Sequence, residues 1–371
     1  MASSSHAGSP IQRTLILVAS IGVSLALMEA AVRSVLPTPG FFPFDSDEII
    51  GSKVSHPLLG FSYAPHFRGR RVTHDYEHDF TTNELGLRDR PIDEDASKET
   101  RLLAVGDSFT EGVGVQGEES WPARLEALLR SDSSRPKPVR VVNAGIASYN
   151  LRQIRLMAEQ LVPQLRSSML LVGVFVDGFG RLDHPYVFLN GTTVRQQDLP
   201  RLSPVPGGFL YSPFHRPWMV AIDFWLDQYW YVGAHLIKVL HNVTCMTRST
   251  EESPLRKLTR SEAEDELSRL LRELDLMNRL AAEHGMPLVV LLINRQNPDG
   301  TFAINAATHN AVIARYGKQH GLYVVDPLAH LVTLSKGKPV FRFQRDGHWT
   351  AAAHEVAATE MACTVRELLS H

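Results

Sequence analysis

Cysteine is scarce in this chain: Cys245 and Cys363 are the two in 371 residues. They make no disulfide framework and no metal-ligand spacing, although they could pair once. Charge imbalance is also lacking. Lys and Arg number 38 against 40 Asp and Glu, a formal net charge of −2. Nothing electrostatic therefore argues for a nucleic-acid partner. No internal repeat is found, which argues against a solenoid or propeller. What remains is ordinary globular composition, 44% hydrophobic and 21% charged, with length for one large domain or two small ones.

The first ten residues are small and polar and read as disordered. Leu15 to Met28 is then apolar apart from Ser20, Gly22 and Ser24, with Arg13 before it and Glu29 and Arg33 after it. Extended over 11–32, this run is long enough to span a membrane. By itself it also suits a signal-peptide core, but no clean small-x-small cleavage site comes after it. An uncleaved signal anchor is the preferred reading over a cleaved signal. Either leaves the Arg13 side in the cytoplasm and exports the chain beyond the apolar run. Pro37-Thr-Pro39-Gly40 breaks the helix, and the stretch to Phe80 reads as irregular chain with short strands. Asn83-Glu-Leu-Gly86-Leu-Arg88-Asp89 reads as a surface turn, followed by a charged linker through Lys98.

Beyond residue 100 the pattern alternates. Apolar runs at 102–105, 139–142, 169–176, 288–293 and 322–325 predict strands. Amphipathic runs at 121–130, 151–165, 261–284, 305–320 and 351–369 predict helices. The third of these helices starts at the capping-box pattern Ser261-x-x-Glu264 and ends at His284-Gly285. Such alternation predicts a parallel sheet covered on both faces, with ligands beyond the carboxyl ends of its strands. One region breaks the rhythm. Residues 181–255 are rich in aromatics and proline and read as an insertion packing over or beside the site, with a helix over 217–240.

Ser108 comes directly after the first of these strands, in Gly106-Asp107-Ser108. A serine in a tight turn between a buried strand and a helix is rigidly held and still faces solvent, as a nucleophile must be. No glycine pattern of the G-x-S-x-G type surrounds it. Near the C-terminus stands Asp346-Gly347-His348-Trp349, ahead of the last helix, for which Thr350 is a suitable N-cap. An Asp two residues from a His can orient the imidazole and stabilise its protonated form. His348 could then take a proton from Ser108. A metal hydrolase is the poorest reading, and neither metal nor cofactor is expected.

Gly106-Asp-Ser108-Phe-Thr with the late Asp346-Gly-His348-Trp resembles the SGNH (GDSL-type) hydrolases. Asn143-Ala-Gly145 is similar to the family's second block, and Gly173-Val-Phe-Val-Asp177-Gly-Phe179 to its third. His56-Pro-Leu-Leu-Gly60-Phe, Asn83-x-x-Gly86-x-Arg88 and Glu29 with Arg33 resemble segments of its membrane-anchored bacterial members. The resemblance covers about 11–180 and 260–371, and leaves the aromatic insertion unmatched.

That resemblance implies a three-layer α/β/α sandwich with a central parallel sheet, SGNH or flavodoxin-like. It implies an anchor at 1–34, an extension at 35–98 and a catalytic domain at 99–371. It further implies acyl transfer in which Ser108 is nucleophile, His348 the general base and then acid, and Asp346 its orienter. The oxyanion hole would be the N–H groups of Ser108 and Gly145 plus the third-block side chain. The last position departs from the family: Asp177 stands where asparagine is usual. An ionised carboxylate cannot donate, so Asp177 is held neutral, or Asn143 or Asn150 replaces it, or activity is weak. Asp107, Asn143 and Trp349 are expected beside the substrate. The implied substrate is an O-acylated molecule, carbohydrate in type, outside the cytoplasmic membrane. A protein of this family that binds an envelope glycan or partner without turnover is the alternative, and Asp177 is its support.

Overall fold

The computed structural model describes residues 9–35, 52–72, 75–131, 136–176, 186–189, 192–195, 230, 232–233, 236, 260–344 and 346–370. The chain forms two compact units, Met1–Ser46 with Arg201–Leu255, and Asp47–Pro200 with Arg256–His371. The 181–255 insertion is thus divided between them. Most of it, including most of the helix expected at 217–240, lies outside the described residues.

In the first unit, α1 runs Pro10–Val35. Its start is sharply specified. The Ser9 hydroxyl accepts from Gln12 N–H at 3.3 Å, and Gln12 Oε1 accepts from Ser9 N–H at 3.0 Å. Reciprocal capping followed by proline at the first helical position makes a strong helix start. The 25 residues Ile11–Val35 are long and apolar enough to cross a membrane, and none of the apolar window is buried. At 1.5 Å per residue they reach about 37 Å, against about 30 Å of bilayer hydrocarbon. A signal sequence near the N-terminus has the same properties. Glu29 closes the apolar stretch; it pairs with Arg33 at 2.7 Å and accepts from Val232 N–H at 2.9 Å.

The second unit begins with two antiparallel hairpins, β1 (Lys53–His56) with β2 (Gly60–Tyr63) and β3 (Arg68–Val72) with β4 (Glu77–Thr81). Next come β5 (Thr100–Gly106), α2 (Ser108–Glu111), α3 (Trp121–Arg130), β6 (Val139–Gly145), α4 (Leu151–Leu165) and β7 (Met169–Phe175). They lead into a short hairpin, β8 (Tyr186–Leu189) with β9 (Thr192–Arg195). The chain ends with α5 (Arg260–Glu283), β10 (Leu288–Ile293), α6 (Ala306–His320), β11 (Tyr323–Val325), α7 (Leu328–Ser335) and α8 (Ala351–Leu368). Five strands form one parallel sheet in the order β11-β10-β7-β5-β6. The chain crosses from β6 back past β5 to reach β7, so the topological switch lies at the carboxyl ends of β5 and β7.

Side chains alternate along each central strand because the period is two. Leu103 and Val105 of β5 join the core under α4 and α5, while Leu102 and Ala104 join the core under α3 and α8. Both faces are covered, giving the three layers of an α/β/α sandwich. α5 directs Leu270, Leu274, Met277 and Ala281 inward. It begins at Arg260, one residue before the expected cap, so Ser261 lies inside it. α7 was not apparent in the pattern. At α8, Thr350 stands at the N-cap, but its hydroxyl donates to Val340 O at 2.9 Å rather than to the helix. The outer edge of β6 is closed by carboxylates. Val141 N–H donates to Glu126 at 2.9 Å and Asn143 N–H to Asp89 at 2.8 Å.

The hairpins ahead of β5 pack into the core. Phe61, Tyr63, Phe80 and Leu87 are buried in the same core as α4. Asn83 Oδ1 accepts from the N–H groups of Leu85 and Leu87, each at 3.0 Å. Gly86 has φ +72, and a Cβ there would lie 2.3 Å from Tyr63 O. Asn83 and Arg88 are buried, so the expected surface turn is a packed corner.

Candidate active site

Ser108 sits where β5 gives way to α2. Asp107 caps that helix, accepting from Phe109 N–H at 3.1 Å. The short helix lies directly on the ends of the neighbouring strands because three glycines make room. A Cβ at Gly106 or Gly173 would lie 1.9 or 2.2 Å from Thr110 Oγ1, and one at Gly145 would lie 2.1 Å from Glu111 N. Such contacts are closer than side chains tolerate, so these strand ends must be bare.

His348 Nε2 lies 2.7 Å from Ser108 Oγ, and His348 Nδ1 lies 2.6 Å from Asp346 Oδ1. The carboxylate can only accept, so the proton is on Nδ1 and the serine hydroxyl donates to Nε2. Asp346 Oδ1 also accepts from His348 N–H at 2.8 Å. Burial pushes the Asp346 carboxyl up, but His348 and the donors around it outweigh that and hold it well below the usual carboxylate range. Beneath the imidazole, Phe109 packs against Phe175, His348 and Trp349 at 4.8, 5.1 and 5.6 Å between ring centroids. A Cβ at Gly347 would lie 2.4 Å from Arg295 Cδ, so a side chain there would displace the Arg295 side chain packed on the loop.

A second buried cluster supports α2 from the other side. Glu111 is fully buried and accepts from Tyr63 OH at 2.6 Å, Arg71 Nη1 at 3.1 Å and Ala147 N–H at 2.7 Å. Burial raises its pKa, but Arg71, Arg88 and these donors together bring it below the ordinary value. Arg88 donates to the carbonyls of Glu111, Gly112 and Val115 at 3.2, 2.6 and 2.7 Å. Arg88 Nη2 also faces His78 Nδ1 at 2.9 Å. Burial, with Arg88 beside it, lowers the pKa of His78 to about 4. Tyr63, Arg71, Tyr76 and His78 had no signal of their own in the sequence; the His56–Phe61 and Asn83–Arg88 patterns marked only the flanks of this region.

Several expected site residues turn inward instead. Trp349 is fully buried, and its Nε1–H donates to Asn294 O at 2.9 Å. Asp107 is 2% exposed and acts as a helix cap. Asn143 donates to Glu111 O at 3.4 Å and accepts from Gly145 N–H at 3.0 Å. In this structure these three serve the framework, and Gly145 N–H, an expected oxyanion donor, is engaged by Asn143 Oδ1. Asn150 caps α4 by accepting from Gln153 N–H at 2.9 Å. Asp177 lies outside the described residues, as does Cys245; Cys363 is free and exposed.

The fold and the site define an α/β/α sandwich that carries a hydroxyl–imidazole–carboxylate chain at the switch point of its sheet. No family model matches the chain, and no curated protein matches it. Solved structures similar to it include TesA, at 13% identity over 72% of this chain and 99% of that one, with a TM-score of 0.42. A catalytic mutant of Axe2, an acetylxylan esterase from Geobacillus stearothermophilus, is 13% identical over 72% of this chain and 94% of that one, with a TM-score of 0.41. LAE5, an α/β hydrolase enzyme from the metagenome of Lake Arreo, Spain, is 16% identical over 72% and 96%, with a TM-score of 0.41. Likeness at this level does not decide chemistry.

Proposed function

We propose that this protein is an SGNH-type serine esterase or O-acyltransferase, anchored by α1 with its second unit exported. The observation that carries the reading is the unbroken chain Ser108 Oγ, His348, Asp346, with links of 2.7 and 2.6 Å. As Ser108 Oγ attacks an ester carbonyl, its proton passes to His348 Nε2. The imidazolium is stabilised through Nδ1–H by Asp346 and then gives the proton to the leaving alkoxide. Water or an acceptor hydroxyl, activated by the same imidazole, releases the acyl group from Ser108. Both outcomes pass through one acyl-serine, so product analysis separates hydrolysis from transfer.

The developing oxyanion needs donors. Ser108 N–H at the start of α2 is one. We assign the second to Ser148 N–H. Ser148 has φ +74 in the loop after β6, and its N–H has no partner among the described residues. The neighbouring Ala147 N–H is held by Glu111 at 2.7 Å, which keeps that loop beside α2. A left-handed non-glycine residue costs about 1–2 kcal/mol. An acylated, carbohydrate-type substrate is inferred from the family resemblance in the sequence.

The test is labelling by a fluorophosphonate probe, with turnover of short aryl esters and acetylated polysaccharides. The full chain should label and Ser108→Ala should not. Absence of labelling and of ester turnover would overturn the reading. The engaged Gly145 N–H favours the alternative of a binder without turnover, for which labelling at Ser108 with no ester cleaved is the signature.

A further inference from the structure

Asp346 is held from two sides by the segment between β3 and β4. Tyr76 OH donates to Asp346 Oδ2 at 2.8 Å. Asp75 Oδ2 accepts from Asp346 N–H, also at 2.8 Å. His348 takes the other carboxylate oxygen. The hydroxyl of Tyr76 cannot swing away. Its ring is 7% exposed, tilted against Phe343 at 4.9 Å and stacked on His78 at 5.9 Å. Phe343 is seated in turn against Gly114, where a Cβ would lie 2.4 Å from its ring. Both bonds from His348 fall on Oδ1, so the carboxylate can still pivot about that oxygen unless the second is fixed. Tyr76 fixes it.

We propose that Tyr76, with Asp75, is a positioning residue for the Ser108–His348–Asp346 chain, so that the hairpin ahead of the sheet completes the site. The proposal rests on the esterase reading above. The Tyr76 hydroxyl locks the rotation of the Asp346 carboxylate and takes a share of its charge. Without it, the carboxylate turns more freely and concentrates its charge on the imidazolium. The rate then falls, and the acid limb of kcat/KM moves to higher pH. The charged and titratable groups around this carboxylate are Asp75, Tyr76 and His348, with Arg295 packed on Gly347. Behind Tyr76 stand His78, Arg88 and Arg71, and His354 lies under Trp349. His78 and His354, lowered to about 4 and about 3 by burial, stay neutral across the limb.

The experiment compares the full chain with Tyr76→Phe, which keeps the ring and removes only the hydroxyl. On a p-nitrophenyl ester, kcat/KM should fall roughly ten- to a hundredfold, as expected for a hydrogen bond to a charged group, with the acid limb displaced upward. In protein labelled with ¹⁵N-histidine, the titration midpoint of the resonance lost in His348→Gln should rise in Tyr76→Phe. An unchanged rate, limb and midpoint overturns the proposal while leaving the esterase reading intact if Ser108 still labels. If the wild-type chain neither labels nor turns over, the esterase reading fails and the midpoint alone decides: a rise sustains the positioning role, and no change overturns it. Should Tyr76→Phe aggregate, Asp75→Ala carries the test. A fall in kcat/KM without loss of melting temperature supports the proposal, and an unchanged rate overturns it.

Discussion

At the scale of single residues, the buried ion pair between Arg71 and Glu111 is the feature with the largest energetic stake. Both side chains are almost fully withdrawn from water, 5% and 0% exposed. Removing one partner leaves a buried charge without its counterion. Arg71→Met should therefore destabilise the fold by about 3–5 kcal/mol, measured by urea unfolding. Ser148 makes the opposite case. Glycine adopts φ +74 without penalty and keeps the N–H. Ser148→Gly should raise stability by about 1 kcal/mol and retain esterase activity. A fall in stability would show that the hydroxyl, not the backbone, holds the loop. Ser108, Asp346 and His348 were legible because each stands in a short pattern next to a clear strand or helix. Tyr76 and Arg71 were not, because their segment has no periodicity and their partners are far away in sequence.

Among the elements, the hairpins ahead of β5 matter more than their lengths suggest. Phe61, Tyr63 and Phe80 lie in the core with the residues of α4 and α5. The same segment delivers Arg71 to Glu111 and Tyr76 to Asp346. A chain beginning at residue 99, the boundary that the sequence pattern favours, should not reach a native state. Near-UV circular dichroism would then show no fixed aromatic environment. A native spectrum and a sharp melt for that shortened chain would refute the idea that the hairpins belong to the core. Strands and helices with strong apolar periodicity were legible almost to the residue; α3 and α4 occupy the expected 121–130 and 151–165. Short strands were expected up to Phe80, but their pairing was not legible, since four or five residues carry too little pattern to specify a partner.

For the whole molecule, two buried histidines make stability depend on acid. Burial, with Arg88 next in each case, lowers His78 to about 4 and His354 to about 3 from the ordinary 6.5. Below pH 6.5 the unfolded chain takes up protons that the folded chain refuses. Folded stability is therefore complete above pH 6.5 and is lost as pH falls towards 4, and for His354 towards 3. The melting temperature should decline through that window, and His78→Gln should flatten the decline between pH 6.5 and 4. An identical slope in that variant would mean that His78 does not stay neutral. At the same scale, removing residues 1–35 should release the protein from membranes in a flotation assay, whereas the full chain floats.

The sequence by itself determined the parallel sheet, its covering helices, the apolar N-terminal helix and the three residues of the hydrogen-bonded Ser108–His348–Asp346 chain. Local periodicity specifies each element, and the motifs stand at strand and helix ends, where a side chain's position is set by its neighbours in the chain. Only the tertiary structure decided which donors and carboxylates are free for chemistry. Asn143 and Gly145 bond to each other, Trp349 turns into the core, and Tyr76 reaches Asp346 across 270 residues of sequence. Whether a polar atom faces substrate or is satisfied within the protein depends on packing between distant segments. No pattern confined to one segment encodes that.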